Sequence, residues 1–176
     1  MSANPIAQAL DALSARFTAM PEAARVKAPP AVSTLVSGLV CETRGPNGEL
    51  IKTDMPPAMG GTGTAPNPGW LLRAALSSCA ATGIASRAAK LGVNLTTLEV
   101  SVSGEADLRG VLGLDPSVSA AITGQVMKVK IASEDTAPNV LEEIVRWAED
   151  HSPVGCTLCS GNEYSLEVEV LPKRAA

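Results

Sequence analysis

The run from Asn67 to Gly92 sets the framework on which the rest of this chain must fold. Asn67 at an N-cap and Pro68 at the first helical position open a helix. Trp70 to Leu91 follows, dominated by Ala, Leu, Arg and Lys, and Gly92 closes it. Ala75, Cys79 and Gly83 recur every four residues along it, flanked by Leu72 and Leu76. That spacing sets small side chains on one stripe. Another backbone can then come close, so the helix is expected to be buried at its centre. Composition agrees, because 45% of the chain is hydrophobic and only 2% aromatic. The rings are Phe17, Trp70, Trp147 and Tyr164, so Val, Leu, Ile and Ala must fill the core. A chain of 176 residues can build one sizeable core. Its apolar content and modest net charge are not those of a disordered segment.

The elements around this helix alternate between two periods. Ile6, Ala9, Leu10, Leu13 and Phe17 recur at helical spacing until Pro21, and Ala28-Pro29-Pro30 makes a stiff linker. Residues 1–30 therefore read as an N-terminal helical arm, and 31–176 as the domain proper. Val32 to Val40 is short, β-branched and roughly alternating. Gly45-Pro46-Asn47-Gly48 is a turn, and Glu49 to Thr53 returns as a second strand. Met55 to Ala65 is too rich in Gly and Pro for a regular element, and a flexible lid or channel wall is the natural reading. Leu95 to Asp107 alternates like a half-exposed antiparallel strand. Leu108 to Pro116 reads as a bulge or loop, and Ile122 to Ala132 as a further strand. Pro138 to Asp150 is a helix with Val140, Leu141, Ile144, Val145 and Ala148 inward, which Ser152-Pro153 breaks. A short turn carries Cys156 and Cys159, and Tyr164 to Leu171 closes as a strand. The order ββ-α-ββ-α-β segregates strands from helices, which is an α+β fold.

Charge and residue types remove several function classes. The net charge is −4 and the 14 basic residues form no run, so nothing marks a nucleic-acid surface. Four scattered aromatics make no base-stacking platform. Arg73, Arg87 and Lys90 interrupt the most apolar region, so no membrane span is expected. The N-terminus has no basic region followed by an apolar run, and four Cys without an export signal point to reduced thiols in a cytoplasmic protein. No Gly-Lys-Ser/Thr follows the Gly60 to Thr64 loop, so it is not a nucleotide P-loop, and no cofactor is implied.

Several positions could carry chemistry. Cys79 is either a small buried residue on a helix stripe or a reactive thiol, which needs a cation to stabilise its thiolate. Arg73 and Arg87 lie roughly 120° and 80° around the helix from it, poorly phased for the task. Arg44, beside the hairpin turn, could arrive by tertiary contact. Cys156 and Cys159 form a C-x-x-C without an adjoining βαβ pattern, which reads as two thiols in a turn rather than a thioredoxin-like pair. With His151 and Cys41 they could hold zinc, but a second paired motif is absent, and no metal site is assigned. His151 at a helix end reads as a cap. Glu142-Glu143 and Glu149-Asp150 read as a solvated helix face.

Together these motifs resemble the OsmC/Ohr family, the osmotically induced and organic-hydroperoxide-resistance proteins, over about residues 31 to 171. The resemblance rests on Gly-Gly-Thr-Gly-Thr-Ala-Pro-Asn-Pro leading into Leu71-Leu72-Arg73-Ala74-Ala75-Leu76-Ser77-Ser78-Cys79, and on Ala148-Glu149-Asp150-His151-Ser152-Pro153-Val154. It implies antiparallel sheets wrapped around central helices in an intertwined homodimer. It also implies a thiol-dependent peroxidase that reduces a small apolar organic hydroperoxide at the expense of a thiol reductant. Cys79 then matches the peroxidatic position and Arg44 is the candidate cation. Ser152 stands where the resolving Cys belongs, and Gly69 where the catalytic Glu is usual. Cys156, one helical turn past Ser152, is the replacement resolver. The same two departures motivate the other reading, a ligand-binding or stress-associated protein that keeps the scaffold without the catalysis.

Overall fold

A computed structural model describes residues 4–161 and 165–171. Helix α1 (Pro5–Ala19) is capped by the Asn4 side chain, and helix α2 (Pro68–Lys90) by Asn67, whose Oδ1 accepts from the Trp70 N–H at 2.9 Å. At the far end of α2, Gly92 takes φ +71°, the Gly92 N–H bonds the Ala89 carbonyl and the Val93 N–H bonds the Ala88 carbonyl. This is a Schellman closure, which only the left-handed conformation of Gly92 permits at no cost.

Strands β1 (Val32–Ser37), β2 (Val40–Arg44) and β3 (Leu50–Thr53) form one antiparallel sheet in that order. The sequence suggests a single strand from Val32 to Val40. The chain instead reverses at Gly38-Leu39, where Gly38 takes φ +54° and Ser37 faces Val40. Strands β4 (Leu95–Glu105) and β5 (Thr123–Ser133) form a second antiparallel pair, with Leu98 opposite Ile131 and Val100 opposite Val129. Glu99, Ser101 and Ser103 face outward as their alternation requires. Between them, Leu108–Val111 is a one-turn helix, α3, rather than a bulge. Asp107 caps it by accepting from the Arg109 N–H at 2.9 Å.

Helix α4 (Pro138–Asp150) packs across α2, and both lie on the inner face of β4 and β5. The core there is Ile84, Ala88, Leu141, Ile144 and Ala148, with Leu98, Val100, Val129 and Ile131 against it. The buried stripe of α2 is Leu76, Ala80, Ile84 and Ala88, one residue on from the expected one. Within the expected stripe only Gly83 meets a helix closely, since a Cβ there would stand 3.4 Å from that of Ala148. Cys79 is half-buried and Ala75 exposed.

Ser152-Pro153 both ends α4 and starts helix α5 (Pro153–Cys159), where a short turn was expected. Ser152 is its N-cap and accepts from the Gly155 N–H at 3.0 Å. This is the same cap-then-proline grammar that opens α1 and α2. The final strand expected over Tyr164 to Leu171 is unpaired across its described part, Ser165 to Leu171, and Tyr164 lies outside the described residues. The arm helix α1 lies on the C-terminal half of α2, where Lys90 Nζ reaches Asp11 at 3.3 Å and Ser14 Oγ at 3.4 Å.

Candidate active site

Cys79 projects from the middle of α2 into an open cavity of about 490 Å³, lined also by Ser78, Thr82, His151, Ser152 and Val154. Ala75, Gly83, Ala148 and Pro153 complete its walls, so the residues around it are mostly small. The Cys79 Sγ lies 3.3 Å from the Ser152 Oγ. Ser152 is 3% exposed and its oxygen already accepts from Gly155. Its O–H therefore remains available to Cys79, and a thiolate there fixes the direction, with the hydroxyl donating. Hydrogen bonds to an ionised partner are the stronger kind.

His151 closes one side. Its Nδ1 donates to the Trp147 carbonyl at 2.7 Å, satisfying a terminal carbonyl of α4, so the ring does cap the helix. The imidazole stacks on the Trp147 indole with centroids 4.1 Å apart, and the Arg87 guanidinium lies 4.5 Å from the centre of the same indole. Trp147 is thus the aromatic ring behind His151 at this cavity. Trp70 lines a neighbouring one with Ile51, Ala75 and Ser78.

The other expected site residues stand apart from Cys79 within the chain. Arg44 ends β2, its side chain 64% exposed and paired with Glu42 at 2.7 Å. Lys52 shares that carboxylate at 3.0 Å, and hydrogen bonds from Lys52 first and Arg44 second hold Glu42 below the usual carboxylate range. Cys156 is exposed on α5, with its thiol toward the Asp150 carbonyl at 3.5 Å, and it does not line the Cys79 cavity. Cys159 is exposed, and Cys41 half-buried on β2. Among the described residues no three of His, Cys, Asp and Glu come together as metal ligands. Nor is any helix there long and apolar enough to cross a membrane.

Two carboxylates depart from the sequence reading. Glu149 is not simply solvated, because its Oε1 is buried without a partner, and burial first and Asp150 second push its carboxyl up. Asp54 had no role assigned, yet it is 1% exposed and organises the glycine-rich loop. Its carboxylate accepts from the Thr62 hydroxyl at 2.6 Å, the Thr62 N–H at 3.0 Å, and the Thr64 N–H and hydroxyl at 3.1 Å each. The Met55 N–H adds a fifth bond at 2.7 Å. These bonds, led by Thr62, drive its carboxyl far below the ordinary value. A Cβ on Gly61 would overlap the Met55 carbonyl oxygen, so the loop closes only with glycine there. The expected lid is therefore a braced wall. The available signal was an acid followed within ten residues by Thr-Gly-Thr, since such residues turn back on a carboxylate.

An antiparallel sheet packed on the cysteine helix and its neighbour α4, with a second antiparallel sheet beside it, has known counterparts. The sequence model of OsmC-like proteins matches residues 61–169, and the chain belongs to that family. An OsmC-like protein from Mycoplasma pneumoniae superposes with a TM-score of 0.66 at 14% identity, covering 78% of this chain and 91% of that one. An OsmC-like protein of unknown function from Vibrio cholerae gives 0.62 at 15% identity, covering 75% and 94%. An organic hydroperoxide resistance protein from Elizabethkingia anophelis gives 0.53 at 15% identity, covering 79% and 92%. No curated protein matches in sequence.

Proposed function

We propose that this protein is a thiol-dependent peroxidase for organic hydroperoxides, with Cys79 as the attacking thiolate. The observation that carries the reading is the Cys79–Ser152 contact at 3.3 Å inside a cavity open to small molecules. The thiolate attacks the terminal oxygen of the hydroperoxide. The O–O bond breaks, an S–O bond forms, and the leaving alkoxide takes a proton to become an alcohol. The resulting sulfenic acid condenses with a second thiol, either Cys156 or an external one, releasing water and leaving a disulfide. A thiol reductant then returns two electrons. In this reading Ser152 stabilises the thiolate rather than resolving it, because a hydroxyl forms no disulfide.

Arg44 is the cation of the reading and must reach Cys79 from outside this chain's own cavity, which a homodimer provides. Support for the homodimer comes from apolar surface that one chain leaves bare. Leu35 on β1 is 64% exposed, Val168 and Val170 are 77% and 87% exposed, and Val32, Val36, Leu50 and Ile51 of the same three-stranded sheet are exposed too. A cytoplasmic setting, with its reduced thiols, keeps Cys79 ready for reaction.

Treatment with cumene hydroperoxide in the presence of dimedone should label Cys79, read by intact mass. Cys79→Ser should reduce hydroperoxide consumption to the uncatalysed background, and peptide mapping without dimedone should show whether Cys156 joins Cys79. A Cys79 left unmodified under millimolar hydroperoxide overturns the reading. That outcome favours the second one, a ligand-binding protein without catalysis, which Gly69 supports by placing no carboxylate at the start of α2. Its mark is a ligand that stabilises wild type and Cys79→Ser equally.

A further inference from the structure

When the O–O bond of a hydroperoxide breaks, the departing alkoxide needs a proton. Among the described residues that line the Cys79 cavity there is no Asp, Glu, Lys or Arg. Ser78, Thr82 and Ser152 bring hydroxyls, which do not exchange a proton readily near neutral pH. That leaves His151, the side-chain type best suited to give and take one there. Its ring comes from the end of α4 and Cys79 from the middle of α2, so two helices bring them to one space. A hydroperoxide whose terminal oxygen meets the Cys79 Sγ holds its second oxygen, the one that leaves, inside that same space.

Three contacts fix where the ring stands and which nitrogen is free. Nδ1 gives its hydrogen to the Trp147 carbonyl at 2.7 Å, so Nε2 is the nitrogen that gains and loses a proton. Capping and proton transfer thus use opposite nitrogens and do not compete. Stacking on the Trp147 indole, with the planes 14° from parallel, holds the imidazole in place. The Arg87 guanidinium, 4.5 Å from the centre of that indole, holds Trp147 in turn from α2. Ser152, next in the chain, is buried against Cys79, so the backbone that carries His151 is anchored beside the thiol. The groups around the ring are Arg87 and Cys79 from α2, and Glu149 and Asp150 from α4 itself. Helix α5 carries no charged side chain, only the thiols Cys156 and Cys159. His151 is exposed, so water can return its proton between turnovers.

We infer that His151 is the acid that protonates the leaving alkoxide from Nε2, an assignment that rests on the peroxidase reading. The Cys79 thiolate forms its S–O bond with the terminal oxygen, and the O–O electron pair goes to the alkoxide. Nε2 of the imidazolium gives that oxygen its proton, an alcohol leaves, and the neutral ring takes a new proton from water. Two oxidants of similar shape separate the proton step from the attack. Cumene hydroperoxide expels an alkoxide, which needs the proton, whereas perbenzoic acid expels benzoate, which does not. Single-turnover oxidation of Cys79 by each, trapped with dimedone and read by peptide mass, gives a ratio of rates in which any change in the thiolate cancels. His151→Phe keeps a ring to stack on Trp147 but has no proton to give. Its ratio of hydroperoxide to peracid rate should fall at least tenfold, since general acids contribute roughly 10²–10⁴-fold. His151→Gln, which keeps a donor for the Trp147 carbonyl, should lower the ratio likewise. A wild-type ratio in either variant overturns the inference and leaves the peroxidase reading standing. Wild-type protein whose Cys79 neither oxidant modifies overturns that reading, and the assignment with it.

Discussion

At the scale of single residues, two side chains do work that composition and periodicity do not announce. Ser152 is the N-cap of α5 and the polar neighbour of Cys79, so one hydroxyl both starts a helix and touches the thiol. Asp54 holds the whole glycine-rich loop through one buried carboxylate. Its carboxyl is lower in the folded protein than its ordinary 3.8, so the bonds it makes stabilise the fold above that pH. The contribution is lost progressively as pH falls below 3.8 toward the folded value. Asp54→Asn should therefore lower the melting temperature at pH 7, and the gap to wild type should narrow at pH 3. A gap that stays constant with pH would show that the carboxylate charge is not what braces the loop. The helix caps at Asn67 and Gly92 were legible in the sequence, because each acts within a few residues of itself. Asp54 was not, because its partners are worth nothing until the loop has turned.

Among the elements, period and place separate. The alternation of β4 and the inward face of α4 follow directly from spacing, since side chains two residues apart in a strand, or three and four apart in a helix, share a face. The stripe of α2 was misplaced by one residue. Small size marks where a backbone can approach, whereas burial follows the larger Leu76 and Ile84, which the core of β4, β5 and α4 receives. Ile144 is 1% exposed at the centre of that core. Ile144→Ala should cost about 2–5 kcal/mol, read as a lower urea midpoint with unchanged slope. A loss below about 1 kcal/mol would mean that α4 collapses onto α2 without it. The split of β1 from β2 and the turn of α3 were hidden for a simpler reason. Gly38 and Asp107 each act at a single position inside a short, otherwise ambiguous run.

Across the whole molecule, one chain leaves a three-stranded sheet, a face of α2 and an alternating Leu166-Glu-Val-Glu-Val170 segment uncovered. If a second copy covers them, the full chain should run as a dimer in light scattering and a chain ending at Gly161 should not. An unchanged dimer would remove the last segment from the interface. The bounds of α2 and α4, the alternation of β4 and the family were legible from the residues alone, because capping, periodicity and contiguous motifs are interactions between near neighbours. That Ser152 meets Cys79 across 73 residues, that Arg44 and Cys156 do not within one chain, and that Arg73 lines an apolar cavity emerged only from the packed fold. Those outcomes depend on how helices cross and where loops land, and packing geometry of that kind is a property of all the elements at once.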